Sequence, residues 1–258
     1  MKRFVPVPTC DGTAAAAVAR RAFGVASLDA ALGGGLALGR VHEIYAAEAD
    51  DLAASAGFVM ALATSLAGSE GMVLWLRSQR AVRQGGVAQA IGWAELGGAP
   101  ELGLIGVVRD SMALLRAAVD ALRCTALGAV VVEGWGAMRE LDLTASRRLA
   151  LAAEKSGVPL LLLRPDAVPV PSAAQTRWQV AAAPSRALPG HAPGGATFDV
   201  TLLRQRSGPC GLDWRLEWDR DRRLFREAPP SGAVVPVPAH RPAAHPASAG
   251  GGGGRRAA

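Results

Sequence analysis

The run "AAEADDLA", Ala46 to Ala53, follows the alternating phrase "RVHEIY" and leads into the apolar run "LAASAGFVMALATSLA". A strand entering a helix through such a loop is the setting of a phosphate loop of type GxxxxGK[ST]. There the glycines let backbone N–H groups converge on phosphates, the lysine reaches the outer phosphates, and the hydroxyl holds magnesium. In this chain Ala46 and Asp51 stand at the glycine positions, Leu52 at the lysine and Ala53 at the hydroxyl. The loop carries Glu48, Asp50 and Asp51 instead. Asp50 and Asp51 suit the dipole of the helix that follows, at about 0.3–1 kcal/mol each. They also fill the place an anion would use and repel a triphosphate. Two readings remain open: an internal replacement for a lost phosphate, or an ordinary acidic cap in a fold that never held nucleotide. Both predict no ATP binding by the usual route.

Other chemistry is sparse. Cys10, Cys124 and Cys210 lie far apart, with no CxxC or zinc spacing, and are expected to be reduced and mostly buried thiols. His42, His191, His240 and His245 form no metal-ligand pattern, so neither a metal nor a cofactor is expected. The net charge of +6 suggests nucleic acid at first sight. Without Arg241, Arg255 and Arg256, which lie in a stretch lacking acidic residues, 25 basic residues face 22 acidic ones. That excess is uninformative unless it clusters.

The elements that position the loop can be read from periodicity. Leu28, Leu32 and Leu36 share a short helix and the turn after it, which Gly33 to Gly35 break. "RVHEIY" is a strand. Residues 52 to 67 form a buried helix, and "GMVLWL" is a strand covered on both faces. Ser111 is expected to cap "MALLRAAVDALR". "GAVVVEG" is a central strand, "LTASRRLALAAEKSG" a helix stopped by Gly157, and "LLLLR" a further strand. The alternation of strand and helix predicts an α/β fold, with a mainly parallel central sheet sandwiched by helices. "TRWQVAAAP", "ATFDVTLLRQRSG" and "GLDWRLEWD" then alternate as an antiparallel extension at one edge. Residues 1–22 are expected to be an N-terminal arm, 23–228 the core domain, and 229–258 a disordered Pro/Gly/Ala-rich tail. No apolar run approaches the ~20 residues that span a bilayer, and no signal peptide is read. A cytoplasmic protein without a membrane association is the expectation.

The phrase "SLDAALGGGLALGRVHEIY" resembles the entry to the RecA ATPase core, where an "LDxALGGGLPxGRIxEIxG" phrase runs into the phosphate loop. With the degenerate loop, "TRWQVAAAPS" and "FDVTLLRQRSGPCGLDWRLEWD", it is similar to the ImuA family over about residues 23 to 228. That resemblance implies a RecA-like core and assigns further positions. Gln79 stands where RecA carries its catalytic glutamate, and an amide cannot serve as the base. Glu133 is the Walker B-like carboxylate, though it reads equally as an ordinary strand-end acid. Arg204 and Arg206 match two RecA lysines that reach a neighbouring subunit's ATP, and they read also as solvated edge-strand arginines. The link "RPDAVPVPSAAQ" replaces RecA's mobile DNA-binding loop with a short, proline-stiffened one. Arg77, Arg80 and Arg83, with Arg147 and Arg148, are the cations that could still contact a partner or DNA.

The resemblance implies a non-catalytic adaptor, not an enzyme, of the damage-inducible mutasome. Its implied partners are an inactive Y-family polymerase homologue (ImuB-like), possible contact with RecA itself, and, indirectly, a second replicative-type DNA polymerase in translesion synthesis. The rival readings are a SulA-like cell division inhibitor and a RecA-like ATPase with an unorthodox site.

Overall fold

The computed structural model describes residues 18–228 apart from Pro193. The expected tail and residues 1–17 of the expected arm lie outside the described residues. Arg20–Arg21 (β1) of that arm pairs antiparallel with Leu36–Ala37 (β2), on either side of the short helix Ala26–Ala31 (α1). The glycines between α1 and β2 have a steric reason. Gly35 has φ +117°, and a Cβ there would sit 2.4 Å from the Arg21 carbonyl oxygen. Only glycine tolerates both.

The remaining strands are Val41–Ala46 (β3), Met72–Ser78 (β4), Gly103–Val108 (β5), Leu127–Glu133 (β6), Leu160–Arg164 (β7), Thr176–Ala182 (β8), Thr197–Gln205 (β9), Leu212–Asp219 (β10) and Leu224–Glu227 (β11). They form one sheet in the order β11-β10-β9-β8-β3-β7-β6-β4-β5. Strands β8, β3, β7, β6, β4 and β5 are parallel, and β9 to β11 continue the sheet antiparallel. The expected antiparallel edge therefore begins one strand later than the sequence suggested. "TRWQVAAAP" is β8 and runs parallel to β3, because the link after β7 carries the chain back to the starting edge before β8 begins.

Helix Leu52–Ala67 (α2) covers one face, with Ser111–Ala121 (α5) and Leu143–Ser156 (α6) on the other. This explains the lack of alternation in β3, β6 and β7: Val130 to Val132 and Leu160 to Leu163 are buried whichever face they take. Helix α2 is nearly uniformly apolar because its second side is covered too. Phe58 packs edge-on to Phe198 at 5.6 Å and against Phe225 at 5.2 Å. Gly157 stops α6 in the left-handed conformation, as its position predicts. The cap of α5 is Asp110, not Ser111: its carboxylate accepts the Ala113 N–H at 2.8 Å, and the shorter serine begins the helix proper.

Two helices, Gln79–Gly85 (α3) and Ala90–Glu95 (α4), and strands β5 and β11 were not anticipated. Each is short, and β5 contains two glycines. Cys124 and Cys210 are exposed, contrary to expectation, since they lie in the turn after α5 and in the β9–β10 turn. Among the described residues, no helix is long and apolar enough to cross a membrane.

Candidate functional site

Parallel strands deliver their C-terminal ends to one edge of a sheet, where ligands of α/β folds bind. Here that edge gathers the loop after β3, the start of α3 after β4, Glu133 at the end of β6 with Trp135 beyond it, and Pro165 and Asp166 after β7. A cavity of about 350 Å3 lies among Ala46, Glu48, Leu52, Arg80, Trp135 and Asp166. It stands where the phosphate loop would hold its anion.

The loop is closed on itself. Residues Ala49–Asp51 make a single 3-10 turn, and Glu48 and Asp51 form a reciprocal capping box. The Asp51 carboxylate accepts the Glu48 N–H at 3.1 Å, while the Asp51 N–H donates to the Glu48 carbonyl at 3.1 Å. The second oxygen of Asp51 accepts the Ala182 N–H at 2.7 Å, and Ala47 donates to the Val180 carbonyl at 2.9 Å. Backbone N–H groups that a phosphate loop would aim at an anion are thus bonded to the chain's own carboxylates and to β8. The substitution is made by Glu48 and Asp51; Asp50 is exposed.

Behind the loop, Glu133 and Arg77 end neighbouring strands in register. Both are buried, and the guanidinium forks onto the carboxylate, Nε to Oε2 at 2.7 Å and Nη2 to Oε1 at 2.9 Å. The Arg77 Nη1 donates to the Gly86 carbonyl at 2.7 Å, and the guanidinium lies 5.6 Å from the centre of the Trp75 ring. Leu52 and Ala53 face this pair across a gap of about 140 Å3. Arg77 is therefore not the surface cation expected from its position after the second strand. Its side chain is consumed by Glu133, the residue that the resemblance places at the Walker B-like position. The bidentate pair engages both carboxylate oxygens of Glu133 with a cation already in place, so a second cation there would meet the Arg77 charge.

The other sequence-selected residues are not brought together. Gln79 opens α3 as an exposed residue, and it is Arg80 beside it that lines the cavity. Arg83 is exposed further along α3. Arg204 is exposed at the end of β9 opposite Arg177, and Arg206 follows it. They lie at the start of β8, whereas Asp51 bonds to its end, so they stand at the opposite edge of the sheet from Arg80. Arg147 and Arg148 are exposed on α6. Among the described residues, no group of three or more His, Cys, Asp or Glu is placed to hold a metal ion.

A second buried network was missed. The Arg177 Nε donates to Glu43 at 2.8 Å, and its Nη2 reaches Ser172 at 3.1 Å and the Val170 carbonyl. This ties the proline-rich link down over β3 and β8. Burial, with the neighbouring Glu43 carboxylate, pushes the Tyr45 hydroxyl up to about 12. Arg164 lies beside the Tyr45 ring, buried, with Nη2 donating to the Gly136 carbonyl at 3.0 Å. Burial lowers its pKa from the ordinary arginine value. The available signal was a charge at the end of an otherwise apolar strand, "LLLLR". His42 is likewise buried: its Nε2 bonds to the Ala37 carbonyl at 2.9 Å and its Nδ1 to the Thr176 hydroxyl at 2.7 Å. Because a carbonyl only accepts, Nε2 carries a proton, and burial, which lowers the ring's pKa to about 4, favours the neutral form.

No family model matches the chain. In fold it is similar to a crystal structure of the RadB recombinase, with a TM-score of 0.53 at 17% identity, covering 81% of this chain and 99% of that one. With the sheet order and the loop position, that defines a RecA-like α/β protein. Two curated relatives, Protein ImuA of Caulobacter vibrioides strains NA1000 / CB15N and ATCC 19089 / CIP 103742 / CB 15, are each 35% identical over 212 residues, 76% of this chain and 82% of theirs. The chain belongs to the ImuA family.

Proposed function

We propose that this chain is a non-catalytic RecA-like adaptor of the damage-inducible mutasome. In this reading it works in the cytoplasm and supports translesion synthesis beside an inactive Y-family polymerase homologue. RecA is a further contact, and a second replicative-type polymerase is engaged indirectly. The observation that carries the reading is the Arg77–Glu133 pair behind a loop whose N–H groups are bonded to Glu48, Asp51 and β8. A nucleotide with its magnesium would need the carboxylate that Arg77 holds and the donors that the loop has already used. What remains of such a core is surface, and surface is what an adaptor uses.

Co-purification of the full chain from DNA-damaged cells, with partners identified by mass, tests the positive half of the reading. Polymerase components are expected; recovery of the tubulin-like division protein instead would favour a division inhibitor. The negative half is tested by equilibrium titration with a fluorescent ATP analogue and magnesium. No saturable binding is expected. Magnesium-dependent binding that Glu133→Ala abolishes would overturn it in favour of an active site of unorthodox design.

A further inference from the structure

The link between β7 and β8 carries "AVPVPS", Ala167 to Ser172, and its conformation has a local cause. Pro169 and Pro171 fix their own φ at about −65°, and a residue before a proline is pushed out of the helical region. Val168 to Pro171 are thus four successive residues restricted to extended or polyproline II backbone. None of them is in a helix or strand, and all four are exposed, Val168 at 81% and Val170 at 42%. The base of the stretch is tied down. Arg177, itself held by Glu43, donates to the Val170 carbonyl and to the Ser172 hydroxyl. The Ala173 N–H donates to the Ser146 hydroxyl at 2.6 Å, and Arg204 donates to the Ser172 carbonyl at 3.4 Å. In an extended chain the N–H and C=O of one residue share an edge. The Val170 carbonyl is turned to Arg177, so the opposite edge carries Pro169 and Pro171, which have no N–H. A partner strand would find no donors there. What the stretch presents is side chains, and with three residues per polyproline turn Val168 and Pro171 share one ridge.

We propose that Val168 to Pro171 is the docking ligand for a partner protein whose groove is lined by aromatic side chains and bordered by carboxylates. Proline-rich polyproline II segments are read by aromatic-lined grooves, and a stretch already extended and anchored loses little entropy on binding. The acidic border follows from the cations beside the link. Arg204 reaches its Ser172 carbonyl, and the Arg206 N–H donates to the Gln175 carbonyl at 2.9 Å. Among the described residues neither arginine is in an ion pair. Asp166, the link's one acid, lines the cavity beside Arg80 instead. Single-stranded nucleic acid would meet the same two cations, but the link has no aromatic ring on which bases could stack. The assignment rests on the adaptor reading and gives its partner a chemistry.

The test is a titration of the full chain, isotope-labelled at its valine methyls, with the purified Y-family polymerase homologue of the same organism. Val168→Ala assigns the Val168 signals, and circular dichroism confirms that each variant is folded. Binding is expected to move the Val168 methyls upfield, as aromatic rings do to groups stacked on them. Val168→Ser, and Arg204→Glu with Arg206→Glu, are each expected to weaken binding about tenfold. The loss from the arginine pair is expected to shrink at high salt. Pro169→Ala with Pro171→Ala frees the backbone and is expected to weaken binding as well. Binding that these variants leave unchanged, or that brings no upfield shift, would overturn this docking site while the adaptor reading stood. A homologue that does not bind at all would count against the adaptor reading itself, and the site would fall with it. A fluorescent deoxythymidine oligomer is expected not to saturate the chain; tight binding of it that the same variants abolish would overturn the site in favour of nucleic acid.

Discussion

The pair Arg77–Glu133 decides how the site edge is held together. Both side chains are about 95% or more removed from solvent. Deleting one partner of a buried pair leaves an uncompensated charge and costs about 3–5 kcal/mol, whereas replacing both with apolar residues of similar size is often neutral. Arg77→Ala is therefore expected to lower the urea midpoint sharply, and Arg77→Met with Glu133→Leu to recover most of it. If the single variant behaved like the native chain, the pair would be no part of the core's stability. His42 gives a pH signature. Burial lowers its pKa from 6.5 to about 4. The unfolded chain then binds the more protons between those values, so this residue's contribution to stability is intact above pH 6.5 and falls as pH drops towards 4. The full loss is about 3 kcal/mol, at 1.36 kcal/mol per unit. Urea titrations at pH 7 and pH 5 should show the slope, and His42→Gln should flatten it.

At the scale of elements, the loop after β3 is a capped helix entry rather than a phosphate cradle. Asp51 holds two N–H groups, from Glu48 within the loop and from Ala182 on β8. Asp51→Ala is expected to cost about 1–2 kcal/mol, as for other lost caps, read as a lower melting temperature. Removal of the charge alone is not expected to create nucleotide binding, because Glu133 remains bound to Arg77. The acidic character of this loop was legible from the residues themselves; which acids act was not. Asp50 and Asp51 are adjacent and look equivalent in sequence, yet only Asp51 points towards β8, a strand more than 120 residues away along the chain. Strand β5 shows the opposite failure. It is not legible from the residues, because an edge strand lacks the burial that gives central strands their unbroken apolar runs, and its two glycines dilute the signal.

For the whole molecule, the continuous sheet makes one prediction about ligands. A nucleotide that bound the folded chain at a hundred times its dissociation constant would stabilise it by about 2.7 kcal/mol. The melting temperature is therefore expected to stay unchanged in saturating magnesium-ATP, and a clear rise would contradict the adaptor reading. By itself, the sequence determined the alternation of β3, α2, β4, α5, β6, α6 and β7, the glycine-broken turn before β3, and the lack of phosphate-loop residues between β3 and α2. These follow from local rules: side-chain periodicity, glycine's freedom at positive φ, and the residue types needed to bind phosphate. Only the tertiary structure decided that β8 joins β3 in parallel, that Arg204 and Arg206 lie across the sheet from Arg80, and that Arg77 meets Glu133, 56 residues on. Each depends on which strands lie side by side. That order is settled by the burial of both sheet faces at once, a condition no local stretch of chain carries.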